Sequence, residues 1–312
     1  PVPVAGGLSF VQLTAAWRHT CGLDAAGTAY CWGGNDDGQL GDGSTAAATG
    51  PVAVAGGLSF VELAAGARHT CAVDVSGAAY CWGWNVNGTL GDGSTTDRTS
   101  PVAVTGGLSF VQLDAGGAHT CAVDVSGAAY CWGDNARGQL GDATTADRTS
   151  PVAVTGGLSF GQLTSSVGSS FLSYTCGLAD SGVAYCWGDN YFGQLGDGRV
   201  ERARNPLTVA GGLSLVEVTA GEFHTCGSDA AGAAYCWGRN NFGQLGDGST
   251  TNRSSPVAAS GGLSFIQVSA GDRHTCGLAV SGAAYCWGLN NRGQLGDGST
   301  TQATSPVPVA GG

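Results

Sequence analysis

The chain contains no methionine and no lysine, and only 11% of its 312 residues are charged. Its twelve cations are all arginine, set against 23 acidic residues for a net charge of −11. Phosphate binding needs clustered cations, so this balance argues against nucleic acid or an anionic membrane surface as a partner. Long hydrophobic runs are missing too. No stretch approaches the ~18 apolar residues of a membrane span, and no signal peptide is visible. Without methionine, the chain reads as a processed mature protein or a segment of a longer one. No window holds ten or more residues of helical periodicity between its glycines, which speaks against helix.

What the sequence does have is glycine, 56 residues of it, and repetition. Aligned on Pro-Val, units begin at Pro1, Pro51, Pro101, Pro151, Pro206, Pro256 and Pro306. The resulting repeats are 1–50, 51–100, 101–150, 151–205, 206–255 and 256–305, with a partial seventh at 306–312, all within one domain 1–312. Each full unit reads approximately PVAV-x-GGLSFVQL-x-AG-x-x-HTC-x-x-D-x-SGAAYCWG-x-N-x-x-GQLGDGSTT. Phe60-Val-Glu-Leu alternates apolar with polar, as a half-buried strand does. His69-Thr-Cys-Ala-Val, Ala78 to Trp82 and a strand beginning at Pro101 complete a set of four. Four short strands every ~40–50 residues predict an all-β propeller with one four-stranded sheet per blade. Six blades are expected, or seven with an incomplete last blade.

Gly-x-x-His-Thr-Cys followed by Ala-Tyr-Cys-Trp-Gly-x-Asn-x-x-Gly-Gln-Leu-Gly resembles the RCC1 (regulator of chromosome condensation 1) repeat, and of that family it looks like the secreted bacterial type. The resemblance spans the whole chain. It implies a propeller, usually seven-bladed, closed by a strand from one terminus pairing with strands from the other. Pro1-Val-Pro-Val and Pro306-Val-Pro-Val compete for one such slot, so the surplus copy is expected to fray, dock elsewhere or pair with a neighbouring molecule.

Twelve cysteines fall into six pairs with nine residues between partners. They are Cys21 and Cys31, Cys71 and Cys81, Cys121 and Cys131, Cys176 and Cys186, Cys226 and Cys236, and Cys276 and Cys286. Asp24-Ala-Ala-Gly27 suggests a three-residue hairpin loop with glycine in the left-handed position. Pairing Asp24 with Thr28 sets Cys21 opposite Cys31, where Cβ atoms lie about 4.5–5.5 Å apart and approach disulfide range. One disulfide per blade is expected, and with it an oxidising compartment: extracellular, cell-surface or periplasmic. The alternative, zinc on His19, Cys21 and Cys31, has the wrong spacing, and the fourth repeat carries Tyr174 in place of histidine. The histidines suit buried side chains bonded to neighbouring backbone, and Trp32 and its equivalents suit packing between blades. The Gly-Asp-Gly-Ser-Thr segments read as turns and not as calcium loops.

Differences between near-identical repeats then become informative. One variable pair precedes His-Thr, with Trp17-Arg18 in the first repeat and Phe223 in the fifth. Another set flanks the Asn after Trp-Gly, with Trp84, Tyr191-Phe192 and Phe242. Fixed offsets place each set on one rim, and aromatics with arginines dominate interface hot spots. The fourth repeat adds five residues within 165–173, and its run 199–204, holding Arg199, Arg202 and Arg204, replaces the usual Ser-Thr-rich loop. These ten residues are the candidate partner-binding positions. No catalytic triad, carboxylate pair, phosphate loop or cofactor motif emerges. The expected function is a non-catalytic extracellular scaffold that self-associates through terminal strands, or else a secreted protein-binding propeller such as an enzyme inhibitor or adhesin.

Overall fold

The computed structural model describes residues 4, 6–168 and 172–311. The expectation for Pro1-Val-Pro, and the middle of the fourth-repeat insertion, lie outside the described residues. Strands and turns make up the fold, with no helix among the described residues. Six four-stranded antiparallel sheets form among the described residues, the architecture of a six-bladed β-propeller.

Two compact units contain these blades. One holds the chain up to Ala136 with Thr144–Ser159; the other holds Arg137–Ala143 and everything from Phe160 onward. In the first unit, blade 1 is β1 (Phe10–Ala15), β2 (His19–Asp24), β3 (Ala29–Gly33) and β4 (Ala48–Ala53). Blade 2 is β5 (Phe60–Ala65), β6 (His69–Asp74), β7 (Ala79–Gly83) and β8 (Arg98–Ala103), and blade 3 is β9 (Phe110–Ala115), β10 (His119–Asp124), β11 (Ala129–Gly133) and β12 (Arg148–Ala153). In the second unit, blade 4 is β13 (Phe160–Ser165), β14 (Tyr174–Ala179), β15 (Ala184–Gly188) and β16 (Ala203–Thr208). Blade 5 is β17 (Leu215–Ala220), β18 (His224–Asp229), β19 (Ala234–Gly238) and β20 (Arg253–Ala258). Blade 6 is β21 (Phe265–Ala270), β22 (His274–Ala279), β23 (Ala284–Gly288) and β24 (Ala303–Pro308).

Every sheet uses four consecutive strands, which differs from the expected sharing of a blade between the two termini. The reason is spacing. Pro306-Val follows β23 at the distance seen in other blades, so it forms β24 and fills the sixth outer slot. A second difference concerns the outer strands. They begin three residues before their proline, at Arg98 instead of Pro101, and the register shifts between the pairing of Cys81 with Val102 and that of Gly83 with Arg98. Proline is tolerated there because an outermost strand has only one partner and the bulge needs no N–H from it.

The second and third strands of each blade form the expected hairpin. Asp24 N–H donates to the Thr28 carbonyl at 3.1 Å, Gly27 adopts φ +82°, and Asp24 Oδ1 accepts the Ala26 and Thr28 amides. Cys21 therefore faces Cys31 across the hairpin and is bonded to it. In the same way Cys71 is bonded to Cys81, Cys121 to Cys131, Cys176 to Cys186, Cys226 to Cys236 and Cys276 to Cys286. Each expected pair is thus a disulfide within its own blade, with Cα atoms 4.0 or 4.1 Å apart. The core lies between neighbouring sheets. Cys21, Leu23, Cys31 and Leu40 of blade 1 pack against Phe60, Leu63 and Trp82 of blade 2. A Cβ on Gly41 would sit 2.5 Å from Trp82 Nε1, so only glycine admits the indole there.

Candidate functional site

Side chains with ligand chemistry are largely occupied in joining one blade to the next. Thr70 donates its hydroxyl to the Gln39 carbonyl at 2.9 Å, and Trp82 Nε1 donates to the same oxygen at 3.0 Å. Because the one hydroxyl proton of Thr70 is thus committed, His19 Nε2 must donate to Thr70 Oγ1, 2.8 Å away. His69 with Thr120 and His224 with Thr275 repeat the arrangement. The histidine partner is therefore a side-chain hydroxyl, where sequence suggested backbone. The imidazoles are neutral: burial pushes His19 down to about 4 and His69, His119 and His224 down to about 3. In blade 4 the longer Tyr174 substitutes, its hydroxyl donating to the His224 carbonyl at 2.6 Å. The cysteines are spent in disulfides, so the residues weighed for zinc do not converge as a ligand set.

The Gly-Asp-Gly-Ser-Thr turns are likewise filled from within. Asp92 accepts the Ser94 amide and Arg98, and the buried Asn85 Nδ2 donates to Asp92 and to the Ser94 and Thr96 carbonyls. Asn85 Oδ1 accepts Leu90 N–H at 2.9 Å. The Asn of the Trp-Gly-x-Asn signature is thus the hub of its loop.

The variable positions are what remains. Trp84 N–H donates to the Arg68 carbonyl, and Arg239 N–H to that of Phe223, so both variable sets share one rim of each blade. In the first unit Trp17 is 69% exposed, stacked under Arg18 at 4.8 Å, and Arg18 pairs with Asp36 at 3.4 Å. Arg68 lies over the half-buried Trp84 at 5.6 Å and makes a two-pronged bond to Asp37 of blade 1.

The second unit carries a longer array. Tyr191, 71% exposed, meets Phe192 edge-on at 4.9 Å, and Phe192 meets Phe223 at 5.3 Å. Arg239 lies over Phe192, Phe223 and Phe242 at 4.9, 5.2 and 5.9 Å. Arg273 also lies over the Phe242 ring, at 5.7 Å. Phe223 is itself buried and serves as the floor of this row. The structure therefore joins Tyr191, Phe192, Phe223 and Phe242 into one surface. It adds Arg239 and Arg273, which sit at the same variable offsets as the candidate residues. Arg199 and Arg202 lie further along the β15–β16 connection and Arg204 in β16, all exposed, with Arg199 beside Asp197 at 3.8 Å.

Among solved structures the chain is similar in fold to Prp20p of Saccharomyces cerevisiae, at 25% identity and TM-score 0.82, covering 96% of this chain and 76% of that one. That study describes its binding to Gsp1p and histones. Human WBSCR16 matches at 18% identity and TM-score 0.86, covering 98% and 83% of the two chains. The CRINKLY ectodomain of the Arabidopsis thaliana receptor kinase ACR4 matches at 22% identity and TM-score 0.58, covering 96% and 83%. The family model for the RCC1-like domain matches residues 1–311, end to end over the blades that carry the Trp-Gly-x-Asn hubs and the aromatic rim. The chain belongs to the RCC1-like domain family.

Proposed function

We propose that this chain is a non-catalytic, extracellular protein-binding module, and that the rim row from Tyr191 to Arg273 makes the contact. One observation carries the reading. In a molecule of net charge −11, half-buried aromatic rings and two half-buried guanidinium groups are gathered into a single rim array that ends in the exposed Tyr191. Such residues bury large area at low entropic cost and are the commonest interface anchors. Arg239 and Arg273 favour a partner offering carboxylates, because cations already seated on aromatic faces keep outward donors for them. The six disulfides support an oxidising location, as does the resemblance in fold to a receptor ectodomain. The scaffold role expected through a surplus Pro-Val strand has one of its two candidates accounted for, since Val307 and Pro308 pair with Cys286 and Tyr285 within blade 6.

The test pairs Tyr191→Ala with Arg239→Ala in the secreted protein. Partners captured from the surrounding extracellular fraction are identified, purified and titrated directly. The double variant should weaken binding of a true partner by about 30-fold or more, the scale of a ~2 kcal/mol hot spot. A triple variant with Arg199, Arg202 and Arg204 changed to alanine serves as control. If that variant loses binding while the rim variant keeps it, the contact belongs to the β15–β16 connection instead.

A further inference from the structure

Carboxylates at the variable rim offsets have two jobs. The first is to hold the arginine that precedes His-Thr. Arg18 meets Asp36 of its own blade at 3.4 Å, and Arg68 makes its two-pronged bond to Asp37 of the blade before it. The second is to satisfy the buried glutamine of Gly-Gln-Leu-Gly. In blade 4 the residue after Trp-Gly is Asp189, whose Oδ1 accepts from Gln194 Nε2 at 3.1 Å. The other end of that amide, Oε1, accepts the Phe192 N–H at 2.9 Å. Both ends of Gln194 are thereby used.

Where blade 5 meets blade 6, both carboxylates are replaced and the donors remain. The offsets of Asp36 and Asp37 hold Asn241 and Phe242 in the fifth repeat, and the offset of Asp189 holds Arg239. Gln244 still gives its Oε1 to the Phe242 N–H at 2.9 Å, which leaves its nitrogen on the side where Gln194 finds Asp189. The residue is fully buried, and Nε2 has no hydrogen-bond partner among the described residues. Arg273 is in the same condition. Its Nε is buried without a hydrogen bond, since its chain neighbour Asp272 lies 3.4 Å away but out of line. Its guanidinium rests on the Phe242 ring, the side chain that stands in for Asp37. The two residues are close, because Gly288 packs against the Arg273 carbonyl and the Gln244 Cα together. A buried donor without an acceptor is costly, and two side by side mark a place for one.

We infer that this junction is a carboxylate-binding subsite within the rim. A carboxylate of the partner takes the place that Asp37 and Asp189 take in their own blades, accepting from Gln244 Nε2 and from the Arg273 guanidinium. The class of ligand follows from the molecule itself, because a carboxylate is what the equivalent donors hold in blades 1 and 4. An ionised carboxyl accepts several such bonds at once, and charge-assisted ones are about twice as strong as neutral ones. Phe242 and the rings under Arg239 place apolar surface beside the subsite, which suits an aromatic or aliphatic side chain next to the carboxylate. A chain terminus and an Asp or Glu side chain share this chemistry. The inference rests on the reading of the rim as a protein-binding surface and names the group that the partner inserts there.

Side-chain NMR on the full chain tests the subsite without the partner. Three probes are titrated: N-acetylphenylalanine, which ends in a carboxylate; its carboxamide, which has none; and N-acetylglutamic acid α-amide, whose carboxylate is on the side chain. The acids should shift the Gln244 side-chain amide and Arg273 Nε–H resonances saturably. The carboxamide should bind at least about tenfold more weakly, the ratio expected for one hydrogen bond to a charged group. The tighter of the two acids identifies the source, terminus or side chain. Gln244→Glu keeps the acceptor for the Phe242 N–H and supplies the carboxyl from within, so it should abolish the response to both acids. Equal responses to acid and carboxamide overturn the subsite, as does no response of either resonance, which leaves an internal water as the only acceptor. Acid binding that survives in Gln244→Glu overturns it equally. The comparison of acid with carboxamide is made on the unmodified chain and needs no variant to fold. Failure of the rim reading is seen separately, as partner binding that survives the Tyr191 and Arg239 double change.

Discussion

Thr70 uses one hydroxyl for two partners, accepting from His19 and donating to the Gln39 carbonyl, all three groups being withdrawn from water. Thr70→Val keeps the shape and orphans the His19 Nε2 donor, while the Gln39 carbonyl keeps the Trp82 indole, so the change should cost roughly 1–3 kcal/mol, the scale of one buried unsatisfied group. Thr70→Ser should recover most of it, and the denaturant midpoints of the three proteins check the ranking. Glu62 is the opposite case: with Glu217 of the fifth repeat, it puts a carboxyl where the other repeats carry glutamine. It stands where Gln12 and Gln162 clasp the next blade, and its carboxyl accepts the Leu113 amide at 3.3 Å without an amide's donor. Burial, with Asp114 nearby, raises it to about 7 from an ordinary 4.5. A raised carboxyl favours the neutral form in the fold, so stability is lost as pH climbs from 4.5 through 7. Glu62→Gln should therefore stabilise by ~1 kcal/mol at pH 8 and by little at pH 4.5, read from thermal midpoints at the two values.

At the level of the element, the hairpin between the second and third strands was the most legible part of the sequence. Asp24, Gly27 and the cysteine spacing each speak to local geometry, and the register they imply is the one observed. It recurs where Cys131 faces Cys121, Cys186 faces Cys176, Cys236 faces Cys226 and Cys286 faces Cys276. The inner strand was legible in place but not in pattern: Phe60 and Leu63 are buried while Val61 between them is exposed, because the register shifts between Phe60 and Glu62 and breaks the expected alternation. The outer strand was read three residues late because proline marks a boundary in most contexts, and an edge strand with a bulge is the exception. The rim was only half legible. Variability flagged Tyr191 and Phe242, but the stacking of Arg239 over three aromatic rings depends on how close neighbouring blades approach. The burial of Phe223 was hidden for that reason too. A prediction belongs to the hairpin itself. Replacing both Cys71 and Cys81 with serine opens a loop smaller than 15 residues, so the loss should fall somewhat below ~3 kcal/mol. The other five disulfides should stay closed, as peptide mapping without reduction would reveal, because repeats contact chiefly their neighbours.

Across the whole molecule, five buried or half-buried histidines tie stability to pH in one direction. Their pKa values are depressed in the fold, so they stay neutral while an unfolded chain takes up protons below about 6.5. Their contribution to stability should be level above that point and fall as pH drops from 6.5 toward 4, against the smaller opposite trend of Glu62. Each histidine contributes a slope of up to ~1.4 kcal/mol per pH unit. Urea midpoints at pH 7.5 and pH 5 measure this, and equal midpoints would contradict the neutral, Thr-bonded imidazoles. The six disulfides bear on how such a chain is made. Repeats this alike invite misassembly between segments, and twelve thiols can pair in far more ways than the 105 open to eight. Yet every cysteine finds its partner ten positions along the chain, across its own hairpin. During synthesis each bridge can close before the next pair has emerged, so maturation runs in order from the first blade to the last and needs no isomerase to undo wrong pairings.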